Sequence, residues 1–144
     1  MTFPKYKELE FYYEYDFSVD GGAVGNIPLR AIGNAMEAGL VIEDVRVHVE
    51  TAFDDAGDTA TVILGPSGGD DDGYLVDFMS VAEVAGSSVR IGQLNGALLW
   101  DTTNDAPLSY KPTTATLAIP VMKVGTEALT QGKATFIFKC RRFS

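Results

Sequence analysis

Two clusters of aspartate are the residues of this sequence whose spacing could support metal chemistry. Residues 70–72 are three consecutive aspartates, and a second loop holds Asp54, Asp55 and Asp58. Calcium takes about six to eight oxygen ligands, which a protein usually supplies from alternating positions around a tight turn. Consecutive side chains are expected to diverge, and the order of acids and glycine in an EF-hand loop is absent. We therefore expect two solvated acidic loops, with calcium binding as the alternative.

The sequence contains one histidine, His48, and one cysteine, Cys140. A single cysteine excludes an internal disulfide and a cysteine-based zinc site, and a single histidine excludes a histidine cluster. His48 falls on the polar face of an alternating segment, where an exposed or interface role is expected rather than a catalytic one. Cys140 shares a face with Phe136 and Phe138, so a buried and inert thiol is expected.

Other catalytic patterns are missing from the sequence. The glycine-rich run at residues 65–69 lacks the Lys-Ser/Thr pair of a phosphate-binding loop, and Ser67 has no Gly-x-Ser-x-Gly surroundings. Paired carboxylates for glycoside hydrolysis need a shared cleft, which no sequence pattern indicates. We therefore predict a protein that is not an enzyme, with no catalytic, cofactor-binding or metal-binding residue and no cofactor.

Charge is distributed unevenly along a chain whose net charge is -9. Residues 1–105 hold 19 acidic and 5 basic residues, whereas residues 106–144 hold one acidic and six basic residues. An acidic body disfavours nucleic acid as a partner, because phosphate binding needs clustered Lys and Arg. The basic end could bind an acidic surface, or it could be a solvated terminus that offsets the charge of its own domain.

The elements that must position these residues are predicted to be strands. Apolar and polar residues alternate with period two from Phe11 to Val19, with Tyr12 as the irregular position, then in residues 40–53, 59–64 and 134–141. Turn signals recur about every 8–12 residues. The pattern predicts an all-β protein, an antiparallel β-sandwich of jelly-roll-like form.

One short helix is the exception to this pattern. It is expected where Leu75, Phe78, Met79 and Ala82 repeat at helical spacing. A turn is expected at residues 130–133, and Pro28 is expected on an edge strand.

Residues 1–18 are predicted to form an aromatic N-terminal strand or arm, and residues 19–144 a single sandwich domain, the size of one ordinary domain. No apolar run approaches the roughly 20 residues of a membrane-spanning helix, and the first residues lack the apolar region of a secretory signal. Membrane partners are therefore not expected.

Six residues are candidates for an interface. Phe11, Tyr13 and Tyr15 could contact a subunit or partner from the aromatic strand, with ordinary core packing as the alternative. Lys139, Arg141 and Arg142 could bind an acidic partner surface. Trp100 and the aromatic strand could also form a sugar-stacking platform, although aromatic residues that alternate with charges are more often core.

Three stretches resemble a known family: residues 19–29 (VDGGAVGNIPL), residues 39–44 (GLVIED) continuing into residues 47–53, and residues 128–133 (ALTQGK) with the final strand. Residues 60–65 and the acidic loop before Tyr74 fit as well. Together they resemble the small β-sandwich proteins that decorate, or cement, the capsids of tailed phages. The resemblance covers most of residues 19–138 and includes no catalytic motif.

The resemblance implies a jelly-roll-like unit, commonly a homotrimer, on the outer surface of an icosahedral head. It would be made in the host cytoplasm and would bind the major capsid protein where capsid subunits meet. The alternatives are a head-fibre or tail-associated virion sandwich, and a carbohydrate- or calcium-binding module.

Overall fold

The protein is an all-β antiparallel sandwich in the computed structural model, which describes residues 6–89 and 94–143. The strands are β1 (Tyr6–Asp16), β2 (Gly25–Pro28), β3 (Arg30–Ile32), β4 (Val41–Asp55), β5 (Thr61–Pro66), β6 (Ser88–Val89), β7 (Trp100–Asp101), β8 (Ala106–Pro107), β9 (Pro120–Gly125) and β10 (Leu129–Phe143). Two one-turn helices, α1 (Phe17–Asp20) and α2 (Met79–Ala82), complete the described elements.

The strands form one large sheet, one small sheet and a short ribbon. The large sheet has the order β3-β1-β10-β4-β6, the small sheet β2-β9-β5, and the ribbon pairs β7 with β8. Pro28 lies in β2, an edge strand, as predicted. Because β1 pairs with β10 from Tyr6 to Asp16, the aromatic N-terminal strand belongs to the large sheet. The division predicted at residue 18 therefore marks no break in this sheet.

The core lies between the two larger sheets and follows the predicted alternation. Side chains from both sheets join a single buried cluster. The Phe138 ring lies 5.4 Å from that of Tyr13 and 5.6 Å from that of Tyr74, and the Phe136 ring packs 5.9 Å from Phe78. Edge-to-face contacts of this kind each contribute about 0.5–1.5 kcal/mol beyond the burial of apolar area.

The turn predicted at residues 130–133 is wrong, because this segment lies inside β10. The pairing of β10 with β4 shifts register between Leu129 and Ala134, so the extra residues are absorbed as β-bulges. Gly132 has φ +149°, and a Cβ there would lie 2.6 Å from the Phe53 ring. The glycine thus permits the bulge and the close packing of the ring, and it does not reverse the chain.

The helix predicted from the spacing of Leu75 to Ala82 exists only in its second half. Leu75 forms a β-bridge with Leu64, and Asp77 accepts hydrogen bonds from the backbone N–H groups of Met79 and Val62. These bonds tie residues 75–78 to β5 outside the helix, although all four apolar side chains of the stripe are buried as expected.

Helix α1 was not predicted, since the alternation extends to Val19. Asp16 ends β1 by accepting a hydrogen bond from the Ser18 N–H, which caps the helix, and Gly21 follows with φ +72°. Strand β9 begins at Pro120, after the turns of residues 114–119. No helix within the described ranges has the length and apolar character needed to cross a membrane.

Candidate interaction surface

The outward side of the large sheet is a charged face built on three neighbouring strands. The antiparallel register sets Glu8 of β1 opposite Arg141 of β10, and Glu10 opposite Lys139. On its other side, Lys139 faces Asp44 of β4. Strand β10, which carries most of the basic residues near the C-terminus, therefore lies between two strands that bear carboxylates.

Ion pairs join these strands across the face. The Arg141 guanidinium contacts the Glu43 carboxylate at 2.7 Å. The Lys133 ammonium lies 3.5 Å from Glu14 and 3.4 Å from Glu50. A hydrogen bond from the Thr135 hydroxyl, supported by Lys133, lowers the pKa of Glu50 below its usual value. Each exposed pair contributes little to stability on its own. Together the pairs show which charged groups of this face already have a partner of opposite charge.

A row of apolar side chains crosses this charged face. Tyr12 is directly opposite Ile32 of β3 on one side and Ile137 of β10 on the other. Ile32 is 48% exposed and Tyr12 is 39% exposed, while Ile137 is half-buried. We call Ile32, Tyr12 and Ile137 the apolar row.

A groove of about 470 Å³ adjoins the apolar row. It is lined by residues of β1, β4 and β10, namely Glu8, Leu9, Glu10, Glu43, Asp44, Arg46, Lys139, Cys140 and Arg141. The Tyr12 hydroxyl donates a 2.7 Å hydrogen bond to Glu10 and so connects the row to the groove. We refer to this concavity as the sheet groove.

Asp44 is the buried charge of the sheet groove, with only 4% of its surface exposed. Its Oδ2 accepts a hydrogen bond from Arg46 Nε at 3.2 Å, whereas its Oδ1 has no partner among the described residues. The sequence pattern predicts Asp44 on the polar face. Its register partner Lys139 and its bonded neighbour Arg46 place Asp44 on that face, although Asp44 is buried there instead of exposed.

The three aromatic interface candidates of β1 lie in the protein's own core. Phe11, Tyr13 and Tyr15 are 8%, 3% and 0% exposed. Tyr13 accepts a hydrogen bond from the Met36 N–H, and Tyr15 donates one to the carbonyl of Gly21. Alternation directs odd-numbered residues of β1 inward, and a contact of these residues with a subunit or partner stays a prediction. The core alternative is the one that the structure shows.

The three basic candidates lie on the surface at the end of β10. Arg141 pairs with Glu43, and Arg142 contacts Glu37 of the loop that follows β3. Lys139 is half-buried between Glu10 and Asp44 and has no ion pair in the described part of the chain. Two of the three cations are thus occupied by carboxylates of their own chain.

His48 and Cys140 occupy the positions expected of them. His48 is exposed on the polar side of β4, opposite Thr135. Cys140 is 1% exposed, and burial raises the pKa of its thiol to about 12. The Cys140 Sγ lies 3.8 Å from the Met36 sulfur. These contacts are those of a packed core thiol.

The two acidic loops bring carboxylates closer together than the sequence suggests. In each loop, one oxygen from each of three aspartates lies within 4.8 Å of the others. The expectation that residues 70–72 diverge is therefore wrong, and a hydrogen bond with Asp70 raises the pKa of Asp72. Asp71 already contacts the Lys123 ammonium at 3.0 Å, and Asp55 accepts a hydrogen bond from the Ala60 N–H. Both loops thus have internal partners for their acids.

The apolar row was missed as a feature by sequence reasoning, although two signals pointed to it. Tyr12 is the irregular position of the first strand, and Ile137 is the apolar residue among the polar positions of the last strand. Only the register shows that the two breaks are directly opposite each other.

Two solved phage capsid structures contain chains with this fold. A chain of the capsid asymmetric unit of cyanophage Pam1 aligns with a TM-score of 0.61 and 16% identity, covering 96% of this chain and 86% of that one. A chain of the acid-stable capsid of Helicobacter pylori bacteriophage KHP30 aligns with a TM-score of 0.56 and 14% identity, covering 99% and 94%. The chain matches no protein-family profile and no curated protein. At these identities the likeness shows a shared fold over nearly the whole length of the chain.

Proposed function

We propose that this protein is a non-enzymatic structural component of a phage virion, which binds the outer surface of the capsid where capsid subunits meet. The observation that carries the proposal is the likeness to two phage capsid chains over 96% and 99% of this chain. The sequence resemblance to capsid decoration proteins, which was drawn from separate stretches of residues, supports the same class.

The physical character of the protein suits this role. A protein that binds only the assembled shell stabilises that shell by mass action. Many copies, each held at several contacts, gain further from multivalency. We propose a homotrimer as the bound form, because a trimer would offer each contact three times. The major capsid protein is the proposed partner.

Binding to empty heads tests the proposal. Purified protein is mixed with expanded heads that lack decoration, and with unexpanded heads of the same phage, and each mixture is sedimented. We expect saturable co-sedimentation with the expanded heads at micromolar concentration. Absence of binding to them at that concentration would refute the proposal.

The position of the bound protein separates cementing from other virion roles. Electron microscopy of labelled protein on whole virions should show label over the entire shell. Label confined to one vertex or to the tail would instead indicate a head-fibre or tail component. Analytical ultracentrifugation of the free protein, over a range of concentrations, tests for the trimer.

A further inference from the structure

The sheet groove contains one negative charge more than its own residues balance. It is lined by four carboxylates, from Glu8, Glu10, Glu43 and Asp44, and by three cations, from Arg46, Lys139 and Arg141. Two cations are paired within the groove, Arg46 with Asp44 and Arg141 with Glu43. Lys139 faces both Glu10 and Asp44 across the sheet. Among the residues that the structure describes, the lining is therefore one cation short of neutrality.

Asp44 shows where a hydrogen-bond donor is missing. A carboxylate that is 4% exposed needs hydrogen-bond donors from its surroundings, because burial removes the water that would otherwise solvate it. Arg46 supplies one donor to Oδ2, and Oδ1 receives none from the described residues. An unpaired buried acceptor is costly, so a donor that reached Oδ1 would bind there with a favourable free energy.

The apolar row supplies the second half of the surface. Ile32 and Tyr12 are the large apolar side chains most exposed on this face, and Ile137 extends them across a third strand. Tyr12 is bonded to Glu10 of the groove, so apolar and acidic surfaces are contiguous. Contiguous exposed apolar surface with a polar border is typical of protein interaction sites.

We propose that the sheet groove and the apolar row together bind a segment of the capsid shell protein that presents an arginine or lysine next to an aliphatic residue. The cationic group binds the Glu10 carboxylate at the edge of the groove next to Tyr12, and the aliphatic side chain covers Tyr12 and its neighbours. The inference rests on the proposed function for the identity of the partner. The chemistry of the site, a cation beside an apolar group, rests on the groove itself.

A peptide titration tests the site without capsids. The probe is the peptide acetyl-Gly-Arg-Leu-Gly-amide, and the control peptide has glutamine in place of arginine. In ¹⁵N–¹H NMR spectra we expect the arginine peptide to shift the amides of residues 8–12, 43–46 and 137–141. Equal shifts with both peptides, or shifts spread over the acidic loops, would overturn the proposal.

Two variants with the same change in charge separate specific binding from general attraction to an acidic protein. Glu10→Gln alters the groove, whereas Asp58→Asn alters an exposed loop residue with φ +58°, a conformation that asparagine tolerates. Loss of one charge-assisted hydrogen bond is expected to weaken binding of the peptide, and of expanded heads, about tenfold for Glu10→Gln. Asp58→Asn should bind as the wild type does. Thermal unfolding of each variant shows that the fold is retained.

The outcomes distinguish this inference from the proposed function. If the wild type binds heads and Glu10→Gln binds them equally well, the groove inference is refuted and the proposed function stands. If the wild type binds no heads, the proposed function fails, while selective peptide binding would still support the chemistry of the site. If Glu10→Gln abolishes self-association and leaves head binding intact, the occupant is a second copy of this chain, and the inference of a shell segment is refuted.

Discussion

Replacing Tyr13 by phenylalanine should destabilise the protein, and replacing its neighbour Tyr12 should not. The two side chains are adjacent in β1 and differ in the face on which they lie. Tyr13 is 3% exposed, and its hydroxyl accepts a 2.7 Å hydrogen bond from the N–H of Met36, itself a buried residue. Tyr12 is 39% exposed and bonded to Glu10 at the surface.

The magnitude follows from the group that Tyr13→Phe leaves unpaired. The ring remains, so the apolar packing against Phe138 is retained, and the loss is the acceptor for a buried backbone N–H. An unsatisfied buried donor costs about 1–3 kcal/mol. A domain of this size loses about 2–4 °C in Tm for each kcal/mol. Tyr12→Phe removes a surface hydrogen bond and should stay within about 0.5 kcal/mol of the wild type.

Urea denaturation, at one protein concentration for all variants, measures the difference. Tyr13→Phe should lower the denaturation midpoint and leave the m-value unchanged, because the surface exposed on unfolding is the same. Hydrogen exchange of the Met36 amide should accelerate more than that of the β10 amides. Equal stability of the two variants, or an unchanged Met36 exchange rate, would refute the inference that the Tyr13 hydroxyl holds the segment between β3 and β4 in place through Met36.

Three further predictions concern the core, the loops and the response to acid. Cys140, whose pKa burial raises to about 12, should react with Ellman's reagent at pH 8 far more slowly in the native protein than in urea, and rapid native reaction would contradict its placement in the core. Gly96→Ala should destabilise by at least about 1–3 kcal/mol, because its Cβ would lie 1.9 Å from the Asp72 carbonyl oxygen. Gly33→Asn, in open space at φ +84°, should cost less in the same thermal unfolding assay, because asparagine tolerates a left-handed backbone better than most residues. The hydrogen bond from the Ala60 N–H lowers the pKa of Asp55 below 3.8, so the ionised form stabilises the fold above that value and this contribution is lost as the pH falls through the lowered pKa. Asp55→Asn should therefore show a shallower loss of stability with acid than the wild type, and parallel curves would contradict the assigned role.

The alternation of side chains was sufficient to predict the strands and most of the core. Phe136, Phe138 and Cys140 are buried on one face as the period of two requires, and β4 begins and ends close to its predicted limits, whereas β10 begins at Leu129, ahead of the alternation predicted from residue 134. Local signals failed where tertiary contacts overrode them. Gly132 looks like a turn residue, yet it forms part of a bulge beneath Phe53, and Leu75 has helical spacing but bonds to Leu64 in a β-bridge.

The interaction surface could not be predicted from the sequence, because it depends on the pairing register of the strands in the large sheet. No local pattern states that Tyr12 faces both Ile32 and Ile137, since these residues are distant in the chain. The pairing of β4 with β10 sets Asp44 opposite Lys139, and no local pattern signals that Asp44 is buried there. A single residue of slip would have placed every one of these side chains on the opposite face.

The position of β10 in the large sheet explains why basic residues are concentrated near the C-terminus of the chain. In the observed register Lys139 faces Glu10, and Arg141 faces Glu8 and also pairs with Glu43. A slip of two residues would keep the correct face inward but would set Ile137 against a glutamate and remove it from Tyr12. Opposite charges and apolar pairs across strands each contribute about 0.2–1 kcal/mol, so both features specify the register.

These contacts change the charge that we expect of a partner surface from acidic to basic. Because Arg141 and Arg142 pair with Glu43 and Glu37 of the same chain, these arginines offer little free charge to an acidic surface. Among the described residues, the groove lining holds one more carboxylate than cations, and Asp44 Oδ1 lacks a hydrogen-bond donor. A basic partner surface is therefore expected here, and increasing salt should weaken its binding by screening exposed charges such as Glu10 more than buried ones such as Asp44.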